Sequence, residues 1–214
     1  MNTEWSELNK LMQQQLKKKE TFDQGIETLL LLRKKLVEQI MSFKTDLVEQ
    51  DFYAQPFVNA KGYHNKTIAY SLYHVFRIED IVVQTLIGKQ EQLFFQRGFQ
   101  ERMDAAISTT GNELVKQEIA EFSQQLNLEE LYKYVVAVDE ATTKMLNELS
   151  FTESKVKMTE SDKNRILVTN SVAQSESWLV DYWCSKDISG LIRMPLSRHW
   201  IMHIEASLRI QKKL

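Results

Sequence analysis

The chain has 214 residues, 43% of them hydrophobic, which is enough to bury a sizeable core and predicts a single domain over residues 1–214. Two prolines and six glycines provide little turn chemistry for a many-stranded β fold, so an all-α architecture is expected. The formal net charge of −2 supplies no basic surface for phosphates, which argues against a nucleic-acid partner. The start of the chain lacks a signal-peptide core, and no apolar run approaches the roughly 20 residues that span a bilayer. We therefore expect a cytoplasmic protein without a membrane partner.

The first half of the chain predicts three helices. Residues 1–20 are polar and helix-prone, with a narrow apolar stripe that is typical of an appended helix. A longer helix is predicted over 21–48, and Pro56 and Gly62 interrupt the helical pattern after it. The third is predicted from about residue 65 or 67 to residue 87. Gly88 closes it, because glycine tolerates the positive φ that often ends helices.

The second half begins with a region that is difficult to interpret. Residues 89–127 combine an aromatic patch with a short helical pattern near 112–125, and we interpret them as an insertion or as a cap over a site. The helix over 128–149 has the clearest signal, because Asn127 can cap it and Glu130 stands at the capping-box position. Another helix is predicted over about 165–186 and a break at Gly190. The last helix is predicted over about 195–212, where Pro195 suits a first turn.

Three of the four histidines occur where one metal ion can bind them. His199 and His203 form an HxxxH pair, and residues four apart project from one face of a helix. Charged residues lie on the opposite face of that helix, so both histidines are predicted to point inward. His74 is predicted to point inward as well, because it shares a helix face with Ile78, Ile81, Val82 and Thr85. The alternative is that these are core histidines that form hydrogen bonds with carbonyls or tyrosines.

Three neutral imidazoles suit one divalent transition metal, Zn, Ni, Fe or Co, better than Mg or Ca, which prefer oxygen ligands. Three protein ligands leave coordination positions open, where a water can be activated as hydroxide or a thiolate can be held. Tyr70 and His64 are the candidate catalytic residues for handling protons. None of the predicted inward neighbours is a strong fourth ligand; they are Tyr70, Ser71, Ile78, Thr85, Met202 and Ala206.

Other side chains allow two interpretations each. Glu79 either orients a ligand histidine or pairs with an arginine such as Arg193. The tryptophans either form the wall of a pocket or pack in the core; they are Trp178, Trp183 and Trp200. The last helix also carries a second apolar stripe, which either forms a homodimer interface or is covered by the additional helices; it consists of Trp200, Ile204 and Leu208.

Two segments resemble helices of the DinB superfamily. TIAYSLYHVFRIEDIVVQTLIG (67–88) is similar to that family's second helix, where an acidic position follows a histidine among apolar residues. MPLSRHWIMHIEASLRIQ (194–211) is similar to its closing HxxxH helix. The resemblance implies an up-down-down-up four-helix bundle with one divalent metal held by His74, His199 and His203. Residues 1–20 and 89–127 depart from the pattern of the compact members.

The same resemblance implies a metal-dependent enzyme, because members of this superfamily include thiol-dependent S-transferases. Such an enzyme activates a low-molecular-weight thiol or a water against a small-molecule substrate, as a transferase or a hydrolase. The competing interpretation is a non-catalytic helical bundle. In that case the metal site is structural, and the protein acts in a stress response or binds a partner.

Overall fold

The computed structural model describes residues 2–214; Met1, the first residue of the predicted appended helix, lies outside this range. The described residues are helical and contain no strand, apart from one isolated bridge between Lys157 and Asp187. The predicted all-α class is therefore confirmed. None of the described helices is both long enough and apolar enough to cross a membrane.

The α-helices are α1 (Thr3–Gln15), α2 (Phe22–Asp46), α3 (Ile68–Asp80), α4 (Leu93–Gln96), α5 (Phe99–Arg102), α6 (Gln117–Gln125), α7 (Leu128–Glu148), α8 (Glu160–Leu167), α9 (Trp178–Cys184), α10 (Ile188–Arg193) and α11 (His199–Gln211). Two π-helical stretches adjoin them: Ile81–Ile87 continues α3, and Met194–Arg198 leads into α11. Short 3-10 turns occupy Lys19–Thr21, Glu49–Tyr53, Gly62–Asn65, Glu153–Lys155 and Gln174–Glu176.

Four of these helices contact one another in a ring. α2 packs against α7, α7 against α3, α3 against α11, and α11 against α2, while α1 lies along α2. The apolar periodicity of α7 explains its place, because its residues at steps of three and four are buried on one face. These residues are Leu131, Val135, Val138 and Thr142. Full burial of an aliphatic side chain contributes about 1.5–3 kcal/mol, so this face holds α7 on its neighbours.

The structure confirms the predicted course of α2 and α7. The Asn127 side chain accepts a hydrogen bond from the backbone N–H of Glu130 at 3.1 Å, which is the predicted cap of α7. Gly88 ends the third predicted helix, but the expected positive φ is wrong. Its φ is −77°, and the next residue, Lys89, has a φ of 55°.

The predicted single helix over 165–186 is wrong, because the chain leaves the helix between α8 and α9. Asn170 adopts a left-handed φ of 50°, and the buried Ser171 donates a hydrogen bond to Gln92 Oε1 at 3.0 Å. The predicted break at Gly190 is also wrong. Gly190 lies inside α10, and its N–H donates to the capping side chain of Asp187 at 2.7 Å.

Residues 89–127 cover the side of α3 that carries Arg77 and Asp80, and their Thr110 also reaches His74. Asp80 accepts hydrogen bonds from the backbone N–H groups of Leu93 and Phe94, both at 2.9 Å. Arg77 donates to the carbonyl of Ser108 at 2.7 Å. These contacts bury α3 and its π-helical continuation all round, including the polar positions Arg77, Asp80 and Gln84.

The second apolar stripe of α11 is covered within the chain. Trp200 and Ile204 are buried in the main core together with Trp5 of α1, and Leu208 packs against the same cluster. The appended helix thus contributes Trp5 to the same core as this stripe. Trp200 and Ile204 are buried and Leu208 is half-buried, and the homodimer stays a prediction.

Candidate metal centre

The three predicted ligand histidines meet in the interior. His74 comes from α3, and His199 and His203 come from α11, which packs directly on α3. One ring nitrogen of each histidine lies within 4.8 Å of the other two, and all three side chains are buried. The ring centroids are 4.6–5.0 Å apart. This confirms that the three histidines lie close enough together to bind one metal ion.

A backbone carbonyl fixes the orientation of the His74 ring. His74 Nδ1 lies 2.8 Å from the carbonyl oxygen of Thr110, and a carbonyl can only accept a hydrogen bond. Nδ1 therefore carries the proton, and Nε2 keeps a free lone pair that points toward the other histidines. This is the usual arrangement of a metal-binding histidine, in which the second ring nitrogen donates to a carbonyl or carboxylate.

The spacing of one pair of ring nitrogens fits a transition metal. His74 Nε2 and His199 Nε2 are 3.1 Å apart. Two nitrogens bound to one ion at roughly 2.0–2.1 Å, with tetrahedral or octahedral angles, lie about 2.8–3.4 Å apart. A hydrogen bond between the two rings is the alternative for this pair. In either arrangement the Nδ1 atom of His199 is buried without a partner among residues 2–214.

Burial keeps all three imidazoles neutral. It lowers the pKa of His74 to about 4, against the opposing effect of the hydrogen bond to Thr110. Burial and the neighbouring histidines hold the pKa values of His199 and His203 well below the ordinary value. Neutral imidazole is the form that coordinates metal, so the site is prepared for an ion at neutral pH. Among residues 2–214, no fourth histidine, cysteine or carboxylate joins the group.

A cavity of about 390 Å³ opens onto the three histidines. Its walls are mainly apolar and aromatic, as is usual for small-molecule sites. Trp178 and Trp183 form part of the wall, whereas Trp200 is fully buried in the core. The remaining wall residues include Tyr63, Ile78, Leu179, Tyr182, Met194 and Met202. A larger cavity of about 710 Å³ lies beside α7 and has no histidine in its lining.

Tyr70 connects His74 to the loop that orients it. The two rings are stacked, with centroids 5.4 Å apart and planes 11° apart, and the Tyr70 hydroxyl donates to the carbonyl of Gly111 at 2.9 Å. Burial raises the pKa of Tyr70, so its phenol is a poor proton donor at neutral pH. These contacts favour a positioning role for Tyr70, through Gly111 and the adjacent Thr110.

His64 lies in the 3-10 turn before α3 and does not line the cavity. Its Nδ1 accepts a hydrogen bond from Arg209 at 2.8 Å. The neighbouring residue, Tyr63, lines the cavity instead, and its ring centroid is 6.0 Å from that of His203. Tyr63, rather than His64, therefore lines the cavity near His203.

Sequence reasoning missed Lys66, which lines the cavity. Its Nζ lies 4.8 Å from the centroid of the Tyr70 ring, and burial lowers its pKa. The available signal was a basic residue just before the predicted start of the His74 helix, four positions before Tyr70.

Glu79 is fully buried behind the site, and its partner is Arg33 rather than Arg193. Its carboxylate accepts two hydrogen bonds from Arg33, at 2.7 and 3.0 Å, and one from Trp200 Nε1 at 2.7 Å. Thr142 donates a fourth at 2.6 Å. Four donors satisfy an ionised carboxylate. Glu79 contacts none of the three histidines directly, and it holds α11 through Trp200, which follows His199 in sequence.

Comparison with protein-family models gives no match for this chain, and comparison with curated proteins gives none either. The geometry and chemistry of the site are therefore the basis for its function.

Proposed function

We propose that this protein is a metal-dependent enzyme in which His74, His199 and His203 hold one divalent transition metal. The observation that carries the proposal is a buried group of three histidines that faces a cavity of about 390 Å³. Structural zinc sites are usually closed by four protein ligands, whereas catalytic sites have three and keep a position open. The cavity therefore favours catalysis over a purely structural metal site in a non-catalytic bundle.

A divalent metal in such a site lowers the pKa of a bound water or thiol, which becomes a nucleophile at neutral pH. The chain's own residues orient the ligands and seat the substrate. The Thr110 carbonyl orients His74, and the aromatic wall excludes water and seats the apolar part of a substrate. We propose a small-molecule substrate with a low-molecular-weight thiol or water as nucleophile, as in a transferase or a hydrolase.

We also propose that the chain has the DinB-like arrangement, an up-down-down-up four-helix bundle formed by α2, α3, α7 and α11. The ring of contacts among these helices supports this arrangement. The positions of the ligands, one on the second of these helices and two on the last, support it as well. Residues 1–20 and 89–127 are additions to the bundle.

Turnover measurements test the enzymatic proposal. Metal-loaded protein is screened with thiols and electrophilic small molecules, and with hydrolysable substrates without thiol. We expect His203→Ala to abolish the turnover found for wild type while the circular dichroism stays helical, because the variant removes one ligand. Lys212→Ala, at the exposed end of the same helix, is expected to retain the turnover of wild type. Full turnover by His203→Ala would contradict the proposal.

A further inference from the structure

Lys66 is the one charged residue in the wall of the histidine cavity; the acidic side chains of residues 2–214 are absent from that wall. Its ammonium group forms no salt bridge among the described residues. Its nearest aromatic contact is the face of Tyr70, at 4.8 Å from the ring centroid. Glu176 acts on Lys66 and raises its pKa, against the larger effect of burial, but no carboxylate forms an ion pair with it. A half-buried cation without an ion pair is unusual, because burial disfavours its charged form.

The same cation lies near the histidines. The positive charge of Lys66 acts on both His74 and His203 across the cavity. Under the proposed function, a divalent ion on three neutral imidazoles adds two further positive charges to this space. Positive charges in a cavity with apolar walls repel one another strongly, because the local dielectric constant is low. A ligand that carries negative charge relieves this repulsion.

We propose that Lys66 binds the anionic group of a small organic carboxylate whose apolar body lies against Trp178 and Trp183. An ammonium group recognises a carboxylate through charge-assisted hydrogen bonds, which are about twice as strong as neutral ones. The aromatic and methionine side chains of the wall match an aryl or alkyl body, and the volume of about 390 Å³ suits a small molecule. The substrate class of the proposed enzyme is accordingly an amphipathic carboxylate.

This inference deepens the proposed function, but carboxylate binding at Lys66 does not itself require the metal. The test therefore uses metal-free protein first. 4-Phenylbutyrate and its neutral analogue 4-phenylbutanamide are titrated into the full chain, and intrinsic fluorescence is followed, since Trp178 and Trp183 line the cavity. The variants are wild type, Lys66→Met and, as matched control, Lys61→Met. Lys61 is exposed, lies five residues earlier and does not line the cavity.

We expect wild type and Lys61→Met to bind the carboxylate more tightly than the amide. Lys66→Met is expected to weaken carboxylate binding about tenfold and to leave amide binding nearly unchanged, because only the charged contact is lost. The inference is overturned if wild type does not bind the carboxylate, or if Lys66→Met binds it as wild type does. An equal loss of affinity for the carboxylate and the amide in Lys66→Met also overturns it, because that pattern indicates damage to the cavity.

Repeating the titrations after zinc loading, with metal content measured in each variant, separates the two proposals. Normal metal content with no effect of Lys66→Met overturns the carboxylate site alone. Absence of metal from all variants, with the Lys66 effect intact, overturns the proposed metal enzyme and keeps the anion site.

Discussion

At the scale of single residues, the orientation of His74 depends on one backbone carbonyl far away in sequence. Thr110 supplies that carbonyl, and the next residue, Gly111, has a left-handed φ of 76°. A Cβ at Gly111 would lie 3.1 Å from the Tyr70 ring. Glycine is therefore required here by the backbone conformation and by the close approach of Tyr70.

Gly111→Ala is expected to destabilise the fold by about 1–2 kcal/mol and to weaken metal affinity by roughly 10–100-fold, because it displaces the carbonyl that orients His74. Urea unfolding and a metal-chelator competition measure the two effects. Gly98→Ala is the matched control, since Gly98 also has a positive φ of 62° but no neighbouring atom lies within 4 Å of the place that its new methyl group would occupy. Equal metal affinity of the two variants would refute this role of the loop.

The buried histidines make the metal-free protein sensitive to acid. Because the pKa of His74 is about 4 in the folded chain and about 6.5 when unfolded, the unfolded chain binds more protons between these values. Stability is therefore lost as pH falls below 6.5, by about 2 kcal/mol from His74 alone between pH 7.5 and pH 5. Urea unfolding at both pH values should show that His74→Leu loses less stability than wild type between pH 7.5 and pH 5. His64→Gln should keep the wild-type loss, and an equal loss in His74→Leu would contradict this account.

At the scale of helices, Glu79 joins the four members of the ring. It belongs to α3 and accepts hydrogen bonds from Arg33 of α2, Thr142 of α7 and Trp200 of α11. Each of the two helices that carry the histidines has a π-helical stretch at one end: Met194–Arg198 directly precedes His199, and Ile81–Ile87 follows α3. Such stretches change the rotation of a helix and are frequent at functional sites. Together these features hold α3 and α11 in the register that brings the histidines together.

Glu79→Ala is expected to destabilise the protein by about 3–5 kcal/mol, because it leaves the guanidinium of Arg33 buried without its main partner. The measurement is the free energy of unfolding in urea. Glu129→Ala removes an exposed ion pair with Lys44 and is expected to leave that free energy nearly unchanged. A similar small effect of both variants would show that Glu79 does not hold the helices together.

At the scale of the whole molecule, periodicity predicted the long helices and the inward histidines, because both depend on local spacing. The contacts made by 89–127 could not be predicted, since Thr110 meets His74 through a backbone carbonyl 36 residues away. The prediction of a single helix over 165–186 was wrong for a related reason. Ser171 leaves helical geometry and bonds to Gln92, which is distant in sequence.

Binding of one metal ion by three histidines from two helices is tested most directly by elemental analysis. Protein purified without chelator is compared with His74→Ala, His199→Ala and His203→Ala, and with His64→Ala as the control outside the group. We expect about one divalent transition metal per chain in wild type and in His64→Ala, and a large loss in the other three. Equal metal content in all five proteins would contradict the account.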